Sequence, residues 1–243
     1  MLLGQNVNSY GLDVEGEMSF AQLLHALDEI GIERIRFMTS HPKDISDELI
    51  EVMANSKHIC HSLHLPVQHG NNRILQSMNR KYTREKYLER VEAIRAKVPD
   101  ISLTTDLIVG YPGETEEEFE DTCSLVSQVG YDSAFTFIYS PRVGTRAADM
   151  PDQIPEAVSS RRIQKLIAIQ KENTHARYAG YIGQVHHVLV EEASKRDATQ
   201  MAGKNEYNIT VNFPGTEALI GSIVKVRITS AGESTLRGEM ISE

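Results

Sequence analysis

The chain has 243 residues, 40% hydrophobic and 24% charged, with a formal net charge of −9 at pH 7. This composition and the absence of a long apolar run predict a soluble protein rather than a membrane protein, and the length suffices for one large and one small core. The start, MLLGQNVNSYG, resembles no signal peptide. Cys60 and Cys123 are far apart in sequence and are interpreted as buried hydrophobic side chains, which predicts a cytoplasmic location.

Five short apolar runs are typical of β-strands, and each ends in a cluster of polar, Pro and Gly residues. These runs are residues 2–3, 34–38, 59–65, 107–109 and 134–139. Apolar residues spaced by three and four predict helices between them, around residues 20–30, 49–53, 88–94 and 119–126. Such alternation predicts an α/β fold with a mainly parallel sheet. In barrel-like sheets of this kind the carboxyl ends of the strands carry the chemistry.

The most informative strand end is DLIVGYPGETEEEF, residues 106–119. The apolar run stops at Gly110, and the Pro-Gly pair that follows predicts a tight turn. Thr115, with Glu118 three residues later, predicts a capping box that begins a helix. A strand, turn and helix in this order present free N–H groups above the strand, which suits a small polar or anionic ligand. An ordinary connection without a ligand fits the same residues.

Basic residues are concentrated in two places despite the acidic net charge. Residues 73–97 contain eight Lys or Arg against three Glu, and a second group lies at Arg161, Arg162 and Lys165. Two interpretations stay open: contact with a phosphate backbone, or solvated helix faces.

The character of the chain changes near residue 180. A helical pattern from Pro155 ends around Gly180, and short β-rich runs follow at 184–190, 207–213, 223–228 and 234–240. Short strands with tight turns predict a small β-barrel. This module is not basic overall, so a nucleic-acid face must be a local patch, for which the candidates are Lys204, Lys225, Arg227 and Arg237. A structural cap or a dimerisation module is the alternative.

Longer motifs carry a resemblance to a known family. They are LLGQNVNSYG, RIRFMTSHP, LHLPVQHGNNRILQSMNRKYTREKY, TTDLIVGYPGETEEEF, YSPRVGTRAADMPDQIP and GKNEYNITVNFPG. With them the chain closely resembles the radical-SAM tRNA methylthiotransferases of the MiaB type over essentially its whole length. The resemblance implies a partial (truncated) TIM-like radical-SAM barrel, strands two to six, in residues 1–150. It further implies a linking helix in 151–180 and an RNA-binding, all-β TRAM (OB-like) barrel in 181–243.

The resemblance implies methylthiolation of isopentenyl-adenosine next to the tRNA anticodon. It implies S-adenosylmethionine as methyl donor and radical source, two 4Fe-4S clusters, and the tRNA anticodon stem-loop, a sulfur donor and an electron donor as partners, with no membrane. Methylthiolation of threonylcarbamoyl-adenosine or of a ribosomal protein is an alternative. So is a non-catalytic fragment that only binds tRNA or other RNA.

The chain also departs from the family. The CxxxCxxC motif precedes the strand with which the chain begins, and the domain with three further cluster cysteines is missing. Two separated cysteines cannot replace them, because thiolates hold such clusters. Four of the nine histidines are candidate metal ligands, but no spacing among them marks a metal site: His41, His61, His64 and His69. We therefore expect a fragment that is inactive on its own, with no identifiable catalytic residue and no metal ligand.

Site residues follow from the resemblance by matched position. The cofactor-binding candidates are Gln5, Asn6, Ser40, His41, Pro66, Gln68, His69, Gly110, Tyr111 and Pro112. The substrate candidates at the same mouth are Arg36, Tyr139, Ser140 and Arg142. The family more usually has Ser-Gly-Ser after Gln68, where this chain has His69-Gly70-Asn71. Each polar residue also fits a role in a turn or a helix cap.

Overall fold

The computed structural model describes residues 1–194, 197 and 199–241. Its α-helices are α1 (Phe20–Glu29), α2 (Asp47–Asn55), α3 (Asn72–Ser77), α4 (Arg84–Lys97), α5 (Glu116–Val129) and α6 (Glu156–Ala179). Its β-strands are β1 (Ser62–His64), β2 (Ser102–Val109), β3 (Ser133–Ile138), β4 (Val185–Ala193), β5 (Gln200–Lys204), β6 (Thr210–Pro214), β7 (Ile223–Ala231) and β8 (Leu236–Met240). Within these ranges no helix is both long enough and apolar enough to cross a bilayer.

The first half of the chain forms an open arc of parallel strand positions. Strands β1, β2 and β3 pair in that order and run parallel. Two parallel bridges extend the arc, from Ile35 to Ile59 and from Leu2 to Phe37. Chain order and sheet order therefore coincide over five positions, and the predicted parallel α/β arrangement is confirmed. The first two apolar runs form single bridges rather than continuous strands.

Strand β2 shows why the arc has two different faces. Leu103 and Leu107 are fully buried and belong to the main core, which the helices cover. Asp106 and Ile108 alternate with them and face the open side, because successive side chains of a strand point in opposite directions. Leu107→Ala would cost about 2–5 kcal/mol by leaving a cavity in the core. The open face is thus available for chemistry while the helical face provides stability.

The predicted capping box at the start of α5 is confirmed. The Thr115 hydroxyl accepts from the Glu118 N–H (3.3 Å), and the Glu118 carboxylate accepts from the Thr115 N–H (2.9 Å). Three glutamates, residues 116–118, occupy the first turn. They already complement the positive end of the helix dipole. Of the two kinds of ligand that the turn predicts, polar or anionic, this helix end therefore favours a polar one.

The second half of the chain closes into a barrel with the strand order β4-β5-β6-β8-β7. Its core is apolar and includes Val188, Phe213 and Leu236, none of which is exposed. The sequence patterns miss β5, because Ala202 and Gly203 have weak strand propensity. Glycine is required at position 203, since a Cβ there would lie 2.2 Å from the Leu189 carbonyl oxygen.

The small barrel packs against the end of the arc at which the parallel strands begin, here called its amino-terminal end. Arg34 donates to the Lys204 carbonyl (2.6 Å) and to the His187 carbonyl (2.8 Å). The Tyr207 hydroxyl donates to Asp100 (2.9 Å), which lies in the turn just before β2. The opposite end of the arc, where the strands finish, stays open.

Candidate active site

A cavity of about 660 Å³ lies at the carboxyl ends of β2 and β3. Its volume is in the range of small-molecule sites. Five side chains predicted from sequence line it together: Gln68, Tyr111, Tyr139, Ser140 and Arg142. They come from three different strand ends. The parallel arrangement therefore brings together residues that are up to about 75 positions apart in the chain.

The backbone around this cavity holds an unusual conformation at non-glycine residues. Two residues that line it have positive φ values, Gln68 with 71° and Asn79 with 58°; Thr39, at an earlier strand end outside the lining, has φ 63°. Left-handed φ values are uncommon for non-glycine residues and strained for a β-branched one. Gln68 is fixed there because its N–H donates to the Asp106 carbonyl and its own carbonyl accepts from Ile108, both at 2.9 Å. Strain of this kind concentrates at ligand sites.

Two buried polar atoms of the cavity wall have no hydrogen-bond partner within the described ranges: the Tyr139 hydroxyl and Arg80 Nε. The Tyr139 ring packs edge-to-face on Tyr111 at 5.3 Å. Tyr111 is itself fixed, since its hydroxyl donates to the Ser77 carbonyl (3.1 Å). Buried polar groups are almost always paired, so two unpaired atoms in one cavity point to a polar ligand.

Glu114 is the centre of a buried polar network next to the cavity. Its carboxylate lies 2.8 Å from His69 Nε2 and 2.7 Å from Arg162 Nη1, and it accepts from the Gly110 N–H (2.7 Å). The network joins the loop after β1, the turn after β2 and helix α6. His69 was expected to contact the cofactor. Its side chain is instead fully buried between these elements and gives no atom to the cavity.

The predicted cofactor residues of the first two strand ends do not line this cavity. Gln5 is exposed, and Asn6 donates to Asp44 (3.1 Å). His41 caps the short turn that follows it, and burial lowers the pKa of its ring. The Ser40 hydroxyl is buried with no partner in the described part of the chain. Cofactor binding by these four residues stays a prediction.

Three further predicted cofactor residues also do not line the cavity: Pro66, Gly110 and Pro112. Their role in the structure comes from the backbone and from packing rather than from a reactive side chain. The Pro66 carbonyl accepts from the Tyr82 hydroxyl (3.3 Å), and Pro112 is buried. Gly110 has φ 73°, and a Cβ there would lie 2.3 Å from the Ser159 hydroxyl. Glycine therefore allows the turn after β2 to pack on α6.

Comparison with known proteins assigns the fold. A model of the radical SAM superfamily matches residues 3–126, about half of the chain. The chain belongs to the radical SAM superfamily. A TRAM domain model matches residues 180–241. The solved structure of Escherichia coli coproporphyrinogen III oxidase, a radical SAM enzyme, is similar with a TM-score of 0.53 and 14% sequence identity. The match covers 92% of this chain and 56% of the oxidase chain. At that identity the likeness concerns the fold alone.

Curated relatives match the radical SAM and TRAM parts together. The tRNA-2-methylthio-N(6)-dimethylallyladenosine synthase of Carboxydothermus hydrogenoformans is 54% identical over 99% of this chain, covering 55% of the relative. The protein of the same name from Thermoanaerobacter sp. (strain X514) is 52% identical over 99% of this chain and 51% of the relative. The resemblance predicted from the motifs is confirmed. The chain spans about half the length of these relatives.

Radical SAM membership implies S-adenosylmethionine and iron–sulfur chemistry. The residues present fit S-adenosylmethionine, because the cavity combines an apolar wall with the two unpaired polar atoms and the polar side chain of Gln68. They do not fit a cluster. The chain has two cysteines, both buried, and burial raises the pKa of the Cys123 thiol to about 11. Among the described residues no group of His, Cys, Asp or Glu is arranged to hold a metal.

Arg36 and Lys204 lie at the junction of the radical SAM arc and the TRAM barrel. Arg36 donates to Asn208 (3.0 Å) and pairs with Glu191 (2.9 Å). Its predicted position at the mouth is wrong, because it lies at the amino-terminal end of the arc. Lys204 donates to Thr210 (2.9 Å), and burial lowers the pKa of its ammonium group. Lys204 is therefore part of the junction, whereas the other predicted RNA contacts lie on the exposed surface of the barrel.

The other three predicted RNA contacts share the exposed surface of the TRAM barrel. Lys225 and Arg227 alternate along β7, and Arg237 lies on the neighbouring β8. Arg227 faces Glu239 across the strand pair. The surface is therefore basic only locally, and RNA binding by these residues stays a prediction.

Most cations of the two basic runs hold helices together. The pairs include Arg73–Glu118, Arg90–Asp47, Lys97–Glu51, Arg162–Glu114 and Lys165–Glu120. For these residues the pairs favour the interpretation as helix faces over that as phosphate contacts. Arg80 differs, because it lines the cavity. Sequence reasoning missed Arg80 and Arg146 as site residues, since nothing in the local pattern distinguishes Arg80 from its paired neighbours.

Proposed function

We propose that this chain forms the cofactor- and tRNA-binding part of an enzyme that methylthiolates N6-dimethylallyl-adenosine beside the tRNA anticodon. One observation carries the proposal: 54% identity over 99% of the chain with a synthase of that name. The strand-end cavity supports it, since it has the size and the unpaired polar atoms that a nucleoside cofactor requires. A proposed division into an arc (residues 1–150), a linking helix (151–180) and a TRAM barrel (181–243) accompanies it.

In this proposal S-adenosylmethionine, when bound, supplies the methyl group and the radical chemistry of the family. The protein's own residues bind and orient. Gln68, whose side chain lines the cavity, binds the cofactor, and the turn that begins at Gly110 places Tyr111 in the cavity wall. Tyr139, Ser140 and Arg142 reach the substrate base or its phosphates. The apolar wall, including Ile108, keeps water from the reacting groups.

The TRAM barrel contributes tRNA affinity through Lys225, Arg227 and Arg237, which neutralise backbone phosphates. Two 4Fe-4S clusters, a sulfur donor and an electron donor complete the reaction in our proposal, which places it in the cytoplasm, where tRNA is modified. The described part of the chain provides no cluster site, so we expect no turnover by these 243 residues alone.

Two titrations of the purified chain test the proposal. The first uses S-adenosylmethionine, and the second uses anticodon stem-loops that carry dimethylallyl-adenosine, threonylcarbamoyl-adenosine or unmodified adenosine. We expect binding of the cofactor and tighter binding of the dimethylallyl stem-loop. RNA binding without cofactor binding would favour the non-catalytic RNA-binding alternative. A preference for a threonylcarbamoyl-adenosine stem-loop, or binding of neither RNA, would refute the assigned substrate.

A further inference from the structure

The charges around the cavity are not balanced. Three arginines line it, Arg80, Arg142 and Arg146, against a single carboxylate, that of Asp106. Asp106 also lies 3.5 Å from His64. The wall thus has two more positive than negative groups. Such an excess in a concave site attracts anions.

The three arginines also differ from several other cations of the arc. Within the described ranges none of them has an ion pair, whereas Arg73, Arg90 and Lys97 are paired with carboxylates. Arg80 Nε is buried and has no hydrogen-bond partner there. Cations that the fold leaves unpaired inside a cavity are suited to a ligand's anionic oxygens, because guanidinium groups bind phosphate and carboxylate well.

The loop that carries Arg142 and Arg146 has a fixed shape. The Thr145 N–H and hydroxyl both donate to the Arg142 carbonyl, at 3.1 and 2.8 Å. The Gln153 amide donates to the carbonyls of Ala147 and Met150, at 2.9 and 2.8 Å. The loop therefore presents the two exposed guanidinium groups at the rim without using them for its own stability.

Aromatic surface lies beside these charges. Phe137 lines the same cavity and is 51% exposed, and the edge-to-face pair of Tyr111 and Tyr139 lies next to it. RNA-binding proteins take unstacked bases onto aromatic rings and hold the flanking backbone with cations. A nucleotide within a strand has one phosphodiester on each side. These two negative charges match the two excess positive charges of the cavity wall.

We propose that Arg80, Arg142 and Arg146 form an anion-binding rim that holds the phosphodiesters flanking the nucleotide to be modified. This inference rests on the proposed function, because it assumes an RNA substrate. The carboxylate of the cofactor's amino-acid part offers the same chemistry, so the experiment includes an arm for each source.

The test compares wild type with R80Q, R142Q and R146Q by anisotropy of a labelled anticodon stem-loop between about 50 and 200 mM salt. Each substitution is expected to weaken binding roughly fivefold and to lower the salt slope by about 0.7 per lost phosphate contact. R80K, R142K and R146K are expected to retain the slope. R90Q is the matched control, because Arg90 pairs with Asp47 outside the cavity.

Parallel titrations with S-adenosylmethionine and with pyrophosphate separate the outcomes. Weaker RNA binding with unchanged cofactor binding supports the phosphate assignment, whereas the reverse overturns it in favour of the cofactor carboxylate. If wild type binds no RNA, the proposed function fails. The rim is then still supported if pyrophosphate binding depends on the three arginines. It is overturned if every probe binds the three Gln variants as it binds R90Q.

Discussion

Removal of the Arg162 guanidinium tests the buried network that supports the cavity. Arg162 is 4% exposed and Glu114 is 3% exposed. The guanidinium binds the Glu114 carboxylate (2.7 Å), the Glu114 carbonyl (3.1 Å) and the carboxylate of Glu116 (3.0 Å). In Arg162→Ala the Glu114 carboxylate stays buried and retains only His69 and the Gly110 N–H.

The expected loss follows from that geometry. Breaking a buried ion pair by removing one partner costs about 3–5 kcal/mol, a large share of the roughly 5–15 kcal/mol that stabilises a domain. With a urea dependence of about 2 kcal/mol/M, the unfolding midpoint should fall by about 2 M. Tyrosine fluorescence reports the transition, since the chain has no tryptophan and Tyr87 and Tyr131 are buried in the same core.

Two variants make the interpretation specific. Arg161→Ala is the matched control, because Arg161 is 67% exposed and 3.5 Å from Glu116, so its loss should cost less than about 1 kcal/mol. Glu114→Gln combined with Arg162→Met removes both charges and should cost less than Arg162→Ala alone. An Arg162→Ala loss equal to that of Arg161→Ala would refute the reasoning.

Three further predictions concern other parts of the molecule. Both thiols should resist a disulfide reagent at about pH 8 until urea unfolds the chain, because burial raises the pKa of Cys60 and of Cys123; fast labelling of native protein would contradict this. Burial disfavours the Asp100 carboxylate, but hydrogen bonds from His61 and Tyr207 outweigh it and lower its pKa. Wild type should therefore be more stable than Asp100→Asn at neutral pH, and this advantage should disappear only as the pH falls below about 4, through the lowered pKa. Urea unfolding midpoints measured across this pH range check the prediction. An advantage that grows on acidification would contradict it. Replacing both Lys225 and Arg227 with Ala should lower the salt slope of tRNA binding by about 1–2, and an unchanged slope would exclude them as phosphate contacts.

Local patterns in the sequence predict much of the fold. The Thr115–Glu118 capping box is a short-range interaction, and the apolar spacing of α5 depends only on the helix period. The resemblance motifs likewise place Gln68, Tyr111 and Tyr139 at strand ends that meet in one cavity. These features can be predicted without knowing which distant residues contact each other in the fold.

What the sequence does not reveal depends on partners far away in the chain. Arg80 and Arg84 lie in the same basic run, yet Arg84 is bonded to Ser124 of α5 and Arg80 lines the cavity. His69 is buried because Glu114 and Arg162 meet it in space. Arg36 contacts the small barrel only because that barrel packs on the amino-terminal end of the arc. None of these pairings leaves a periodic signal.

Calorimetric titration of S-adenosylmethionine into wild type, Gln68→Ala and Gln164→Ala tests the central claim most directly. Gln68 lines the cavity, and Gln164 is exposed on α6, so the second substitution controls for the loss of an amide elsewhere. We predict one binding site per chain, weakened roughly fivefold or more by Gln68→Ala and unchanged by Gln164→Ala. No binding to wild type, or equal binding to all three proteins, would contradict the assignment of this cavity to the cofactor.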